Sequence, residues 1–162
     1  MMILIMDTEF SDISPEMELL SLALVSLDGQ FEFYGERTDV PREHCSDFVR
    51  HAVLPQLKAG PPVAGDIHNL RARLRAFVEA LPDKATLACD SFYDIELFSW
   101  AIGKPWPKQL DGKRLNLAKY TSIPAFSQAQ HRYHSMGHAY HHALNDVRAL
   151  RAGMLAWQES RQ

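Results

Sequence analysis

Met1-Met2-Ile3-Leu4-Ile5-Met6-Asp7-Thr8-Glu9-Phe10 opens the chain. The apolar run Met1 to Met6 passes without a break into an acidic triplet. Such a run, bounded by charge, reads as a strand covered on both faces, of the kind found at the centre of an α/β sheet. Residues two apart on a strand point the same way, so Asp7 and Glu9 project together on the side that Ile3 and Ile5 occupy further back. Two carboxylates are thereby delivered to one spot at the edge of a core.

The rest of the chain supplies partners for that strand. Leu19 to Leu27 is a second strand, Asp28-Gly29 a hairpin signal, and Gln30 to Tyr34 a third strand. Prolines punctuate 41–65, with Glu43 to His51 a short helix. Asp66 is placed to cap a helix over Ile67 to Ala80, where Leu70, Leu74, Phe77 and Val78 recur at helical spacing. Ala85 to Cys89 reads as a fourth strand and Phe92 to Ile102 as a helix, while Lys113 to Tyr120 holds a fifth strand. A histidine-rich loop, His131 to His138, leads into a last helix over roughly Tyr140 to Glu159. This order predicts an α/β domain with a mixed five-stranded sheet, its first three strands antiparallel, flanked by helices.

Composition sets the frame. With 162 residues and 46% apolar content the chain buries one core, so one domain spanning 1–162 is expected. No stretch approaches the ~20 apolar residues needed to span a bilayer, and no secretory signal is legible at the N-terminus, which points to a cytoplasmic protein. The only cysteines, Cys45 and Cys89, form no CxxC pair and read as reduced structural residues. A net charge of −3 argues against coating nucleic acid by bulk charge. It leaves room for an enzyme that grips a few nucleotides around bound cations, whose charge the count omits.

A D-x-E triplet arises by chance about once in every two chains of this length, and Glu16-Met17-Glu18 and Asp94-Ile95-Glu96 repeat the spacing here. Position at the end of a buried strand singles out Asp7 and Glu9. Asp90 and Asp94 follow the fourth strand, and if that strand lies parallel beside the first they emerge next to the triplet. Helix capping accounts well for Asp90 or Ser91 and poorly for Asp94. On the last helix, Asp146 falls beside Leu150 and Trp157 at the margin of the apolar stripe, so it is partly desolvated. Carboxylates gathered this way repel by about 4 kcal/mol per pair at 4 Å and an effective dielectric of 20. Cations must balance them, and an all-oxygen donor set favours Mg²⁺ or Mn²⁺. Two such ions ~4 Å apart are the arrangement that serves phosphodiester hydrolysis.

His141, five residues before Asp146, can face the same point only from the loop or first turn ahead of the regular helix. There an imidazole suits a general base. His134, His138 and His141 also admit a zinc reading, although no H-E-x-x-H pattern or nearby cysteine supports it.

Asp7-Thr8-Glu9-Phe10, Asp90-Ser91-Phe92-Tyr93-Asp94 and His141-His142-Ala143-Leu144-Asn145-Asp146 together resemble the three blocks of the DEDDh exonucleases of the RNase H-like superfamily, in the expected order. Asp90 stands where relatives often carry Asn. The D-T-E-F opening, the E-L-L-S-L-A-L-V-S-L-D-G second strand and the H-x-A-L-x-D block look most like small bacterial exoribonucleases of the RNase AS type. The resemblance implies a 3′-to-5′ exonuclease acting on single-stranded RNA, often adenylate-rich, as a homodimer with two Mg²⁺ or Mn²⁺ ions. By carry-over, Asp7, Glu9 and Asp146 hold the first metal, Asp7 bridges to the second, Asp94 positions the second, and His141 deprotonates the nucleophilic water. Phe10 and Tyr93 are candidates to stack terminal bases, with packing beside the core as the plainer role for each. Arg71, Arg73 and Arg75, or Lys113, Arg114 and Lys119, are candidates to follow the phosphates, unless they form an ordinary solvated face. The competing readings are an exodeoxyribonuclease, a noncatalytic nucleic-acid-binding module, and an endonuclease or integrase of the same fold.

Overall fold

In the computed structural model, which describes residues 2–162, the opening run forms β1 (Met2–Phe10) and continues through the acidic triplet to Phe10. Met1 lies outside the described residues. The other strands are β2 (Leu19–Ser26), β3 (Glu32–Arg37), β4 (Ala64–Gly65), β5 (Ala85–Cys89) and β6 (Leu110–Asn116). Five helices, α1 (Asp47–Ala52), α2 (Ile67–Glu79), α3 (Phe92–Ile102), α4 (Pro124–Ser135) and α5 (Ala143–Glu159), join them. The mixed sheet runs β4-β3-β2-β1-β5-β6, with β1, β2 and β3 antiparallel and β5 and β6 parallel to β1.

Burial on both faces explains why β1 and β2 read as nearly continuous apolar text. Leu4 and Met6 pack with Leu70 and Leu74 of α2 and Phe98 and Ile102 of α3. Ile5, on the opposite face, packs with Phe126 of α4 and Val147, Leu150 and Met154 of α5. All eight residues of β2 are buried. A smaller cluster of Leu20, Cys45, Val49 and Val53 seats α1. Both cysteines are free and buried.

The structure corrects the sequence-based expectation in several places, the third strand among them, which runs Glu32–Arg37 and not Gln30 to Tyr34. The sheet has six strands and not five, because β4 spans only two residues and is too short to carry any periodicity. The strand expected over Lys113 to Tyr120 begins earlier, at the buried Leu110, and ends where the Asn116 carboxamide oxygen accepts a bond from Ala118 N (2.9 Å) and turns the chain. The stretch expected as a histidine-rich loop is largely α4, with Pro124 in its first turn. Its only buried residues are Phe126 and His134, so it shows no apolar stripe.

Arg71, Arg73 and Arg75, read from sequence as a candidate basic face, spend their guanidinium groups on backbone carbonyls. Arg71 donates to the carbonyls of Trp100 and Ala101, Arg73 to those of Tyr34 and Val63, and Arg75 to those of Ile102 and Pro105. These guanidinium groups tie α2 to its neighbours.

The helices α4 and α5 approach closely at Gly153, where an added Cβ would lie 2.7 Å from the buried Phe126 ring. Replacing Gly153 with Leu is expected to lower unfolding free energy by about 2 kcal/mol, as overpacking a closed core does. Urea denaturation checks this, and a Gly153→Leu protein as stable as wild type would show that α4 yields freely.

Candidate metal centre

β5 lies parallel to β1, with Ala88 opposite Ile5, so the chain leaving β5 emerges beside residues 7–9. Ser91 caps α3, its Oγ accepting from Tyr93 N at 3.2 Å, which leaves Asp90 free of that duty. Asp94 follows in the first turn, 2% exposed. Thr8 fixes it: the Thr8 backbone N and Oγ1 both donate to Asp94 Oδ1, at 3.1 and 2.6 Å.

Asp146 arrives from the other face of the sheet in the first turn of α5, where its backbone N donates to the carbonyl of the capping residue His142 (3.0 Å). His142 is itself pinned. Its ring stacks on Tyr34 with centroids 5.0 Å apart. The Tyr34 hydroxyl donates to Glu36 Oε1 (2.7 Å), so His142 Nε2, 3.2 Å away, carries the hydrogen toward that hydroxyl. The strand β3 thus sets where α5 begins.

His141 stands just ahead of α5 in the left-handed region, φ 60°, alone in this among the described non-glycine residues. The side-chain amide of Gln56 donates to the carbonyls of Tyr140 and His141 (2.7 and 3.2 Å), and the Phe48 ring meets His141 edge-on at 4.9 Å. An unusual backbone held by several contacts commonly marks a functional residue. Behind it, His134 Nδ1 donates to the His138 carbonyl (2.8 Å), and its Nε2 lies 3.5 Å from Asp146 Oδ1. Tyr140 stacks on the His134 ring at 3.7 Å. His134, His138 and His141 do not converge as a metal cluster among the described residues, which sets the zinc reading aside.

Two groups do converge: Glu9, His141 and Asp146, and Asp7, Asp90 and Asp94, each with ligand atoms within 4.8 Å of one another. Asp7 Oδ2, Asp94 Oδ2 and Asp146 Oδ1 are buried without a hydrogen-bond partner. Unpartnered carboxylate oxygens facing one another fit divalent cations and little else. A cavity of about 490 Å³ opens over them, lined also by Phe10, Ile13, Phe48 and Ser91.

The charges show the same strain. Asp7 titrates well above the ordinary carboxylate range, first because it is buried and then because Asp94 and Asp146 are near. Burial, reinforced by Asp146, pushes Glu9 up to about 8. Burial also lifts Asp94 to about 7 against the lowering effect of the Thr8 hydrogen bond. Asp90 and Asp146 are raised by burial too.

The five residues Asp7, Glu9, Asp94, His141 and Asp146 therefore all line one cavity. Of the two aromatic candidates, Phe10 lines it and Tyr93 does not, and their rings pack together at 5.7 Å. Sequence reasoning missed Phe48 and Ile13, 57% and 69% exposed at the cavity, and His134 behind Asp146. Phe48 and Ile13 lie in polar, irregular text with no periodic signal, whereas His134 was visible as one of a crowd of histidines.

No protein-family model matches the chain. It is similar to two proteins named 3′-5′ exoribonuclease, from Mycobacterium tuberculosis strains CDC 1551 / Oshkosh and ATCC 25618 / H37Rv. In each case it is 34% identical over 94 residues, which is 58% of this chain and 51% of the relative. The match thus spans about half the length of those curated relatives.

The raised carboxyls predict how metal-free stability varies with pH. With a folded pKa near 8 against an ordinary 4.5, Glu9 keeps its proton in the folded chain where the unfolded chain has lost it. The folded state then binds more protons, so stability present at low pH is lost as pH rises through about 7 and 8. Asp28, Asp39 and Asp111 are lowered and titrate beneath this window. In EDTA the melting temperature is expected to fall from pH 5 to pH 8, and Mn²⁺ to restore more of it at pH 8. A flat profile would mean that the cluster carries no such load.

Proposed function

We propose that this chain is a 3′-to-5′ exonuclease with an RNase H-like fold, of the DEDDh type, trimming single-stranded RNA. The observation that carries this reading is the meeting of Asp7, Glu9, Asp94, Asp146 and His141 at one cavity, with three buried carboxylate oxygens unpartnered. The name of the two relatives, 3′-5′ exoribonuclease, supports the direction and the substrate. Assembly as a homodimer belongs to the same reading and rests on the resemblance alone, and a cytoplasmic location is proposed from the apolar pattern of the sequence. The described helices include none long and apolar enough to cross a membrane.

In this mechanism Glu9 and Asp146 would hold one divalent cation and Asp94 the other, with Asp7 between them. Asp90 lies within reach of the second group, an addition to the ligand set that the resemblance implies. Two Mg²⁺ or Mn²⁺ ions supply the positive charge and Lewis acidity that phosphodiester hydrolysis needs. Thr8 commits one oxygen of Asp94 and so aims the other at the cluster. An imidazole nitrogen of His141, within 4.8 Å of carboxylate oxygens of Glu9 and Asp146, takes the proton of the attacking water. The water oxygen bonds to phosphorus as the bond to the upstream 3′ oxygen breaks. That oxygen regains a proton, and a nucleoside 5′-monophosphate leaves. His141 is exposed and stands outside α5, so its ring can meet a substrate independently of Asp146.

A 5′-labelled RNA oligomer with Mg²⁺ is expected to give a ladder shortening from its 3′ end, abolished by EDTA. Asp7→Ala is expected to cost at least ~10²-fold in rate, and His141→Ala ~10²- to 10⁴-fold. Cleavage that survives Asp7→Ala, or cutting of a circular RNA, would overturn the mechanism. Running adenylate and mixed-sequence RNA beside DNA tests the substrate.

A further inference from the structure

Away from the carboxylates, positive charge gathers at the β6 edge of the sheet. Ala85 of β5 faces Leu110, but Leu87 faces Arg114, so β6 loops out extra residues where β5 has none. Gly112 makes this possible with a φ of 74°, and the Asp111 carboxylate accepts from Lys113 N at 2.8 Å across the turn. On a regular strand consecutive side chains point to opposite faces, and a bulge re-aims them. Here both Lys113 and Arg114 line one cavity of about 280 Å³, joined by Lys104, whose ammonium stands 5.8 Å from the Trp106 ring. Among the described residues no carboxylate lines it. Asp111, the nearest in sequence, is engaged by Thr86 Oγ1 (2.7 Å) and by Lys113 N. Trp106 Nε1 is buried without an acceptor, so this region is short of acceptors as well as rich in positive charge.

Arg114 also lines a smaller cavity of about 170 Å³ with Asp90, Ser91 and Phe92, where Asp90 belongs to the carboxylate cluster and Phe92 is 65% exposed. Ser91 in turn lines the cavity over the carboxylates. Three cavities thus follow one another along the end and edge of the sheet, sharing Ser91 and then Arg114. The cationic one lies at Ala85 and Leu87, two to four residues behind Cys89 on β5, or roughly 7–13 Å at ~3.3 Å per residue.

We propose that this track is an exosite for single-stranded RNA. A backbone phosphate seats among Lys104, Lys113 and Arg114, a base stacks on Phe92, and the 3′ end lies at the carboxylates. The phosphate bound there is upstream of the scissile one, so the exosite grips long substrates and not dinucleotides. The assignment rests on the nuclease reading above and adds to it the route and polarity of the bound strand.

The test is fluorescence anisotropy with Ca²⁺ holding the RNA uncut, comparing twelve- and two-nucleotide RNA on wild type and on the Lys104→Ala, Lys113→Ala, Arg114→Ala triple variant. All three side chains are exposed, and an unchanged melting temperature and Mn²⁺ affinity verify the fold. Should the triple variant fold poorly, Lys113→Glu alone carries the same test. Wild type is expected to bind the longer RNA more tightly, and the triple variant to lose about tenfold of that gap. The slope of log affinity against log salt should fall by ~0.7 for each phosphate that the variant no longer neutralises. Phe92→Ala should narrow the gap with the salt slope intact. Equal length dependence and salt slope in wild type and variant would overturn the exosite and leave the nuclease reading standing. Failure of wild type to bind either RNA would overturn both.

Discussion

Mutual repulsion among carboxylates at the exit of β1 is the constraint around which this molecule is arranged. Asp94 and Asp146 each sit in the first turn of a helix, α3 and α5, so both helices bring the positive ends of their dipoles to the cluster. That is worth roughly 0.3–1 kcal/mol per charge, against about 4 kcal/mol for each close like-charged pair. Dipoles alone lose that comparison. Protonation is the other internal remedy, and burial first, with the neighbouring carboxylates behind it, displaces Asp7, Glu9 and Asp94 upward in that direction. Divalent cations do the same task without removing the charges that chemistry needs.

The two sides of the sheet share the positioning between them. On the α2–α3 side, Thr8 holds Asp94 through its backbone and its hydroxyl, which explains why the residue between the two acids is itself buried. On the α4–α5 side, the chain of Glu36, Tyr34 and His142 transmits the position of β3 to the start of α5. Asp146 therefore depends on a strand two removed from β1 in the sheet. His141 is held differently, by Gln56 on its backbone and Phe48 of α1 against its ring, both between β3 and β4 in the chain.

Much of this was legible in the sequence because it rests on local pattern. The apolar run before Asp7 fixed β1 as central, Asp28-Gly29 marked the hairpin, and Asp66 marked the start of α2, where its side chain accepts from Asn69 N. The five candidate residues were readable because each sits at the end of a patterned element. What escaped is what depends on tertiary contact. β4 exists only because Glu36 and Arg37 offer it an edge. The helix α4 buries one aromatic and one histidine, too little to leave a stripe. The cluster of arginines on α2 looked like a basic face, yet three neighbouring carbonyl sets consume it. Phe48 joins the cavity through the fold of a proline-rich stretch whose text has no period.

Arg73 is one of the ties that close one margin of the sheet. Its guanidinium bonds Val63 O and Tyr34 O at 2.9 Å each and lies 5.2 Å from the Phe33 ring, pinning the segment that contains β4 over β3. β4 itself contributes a pairing of only two residues. Glu36 N and Thr38 N donate to Val63 O and Gly65 O in the same segment, so backbone groups of β3 on which a second chain could add as a strand are already occupied. A residue far from any chemistry thus helps to keep an edge strand covered.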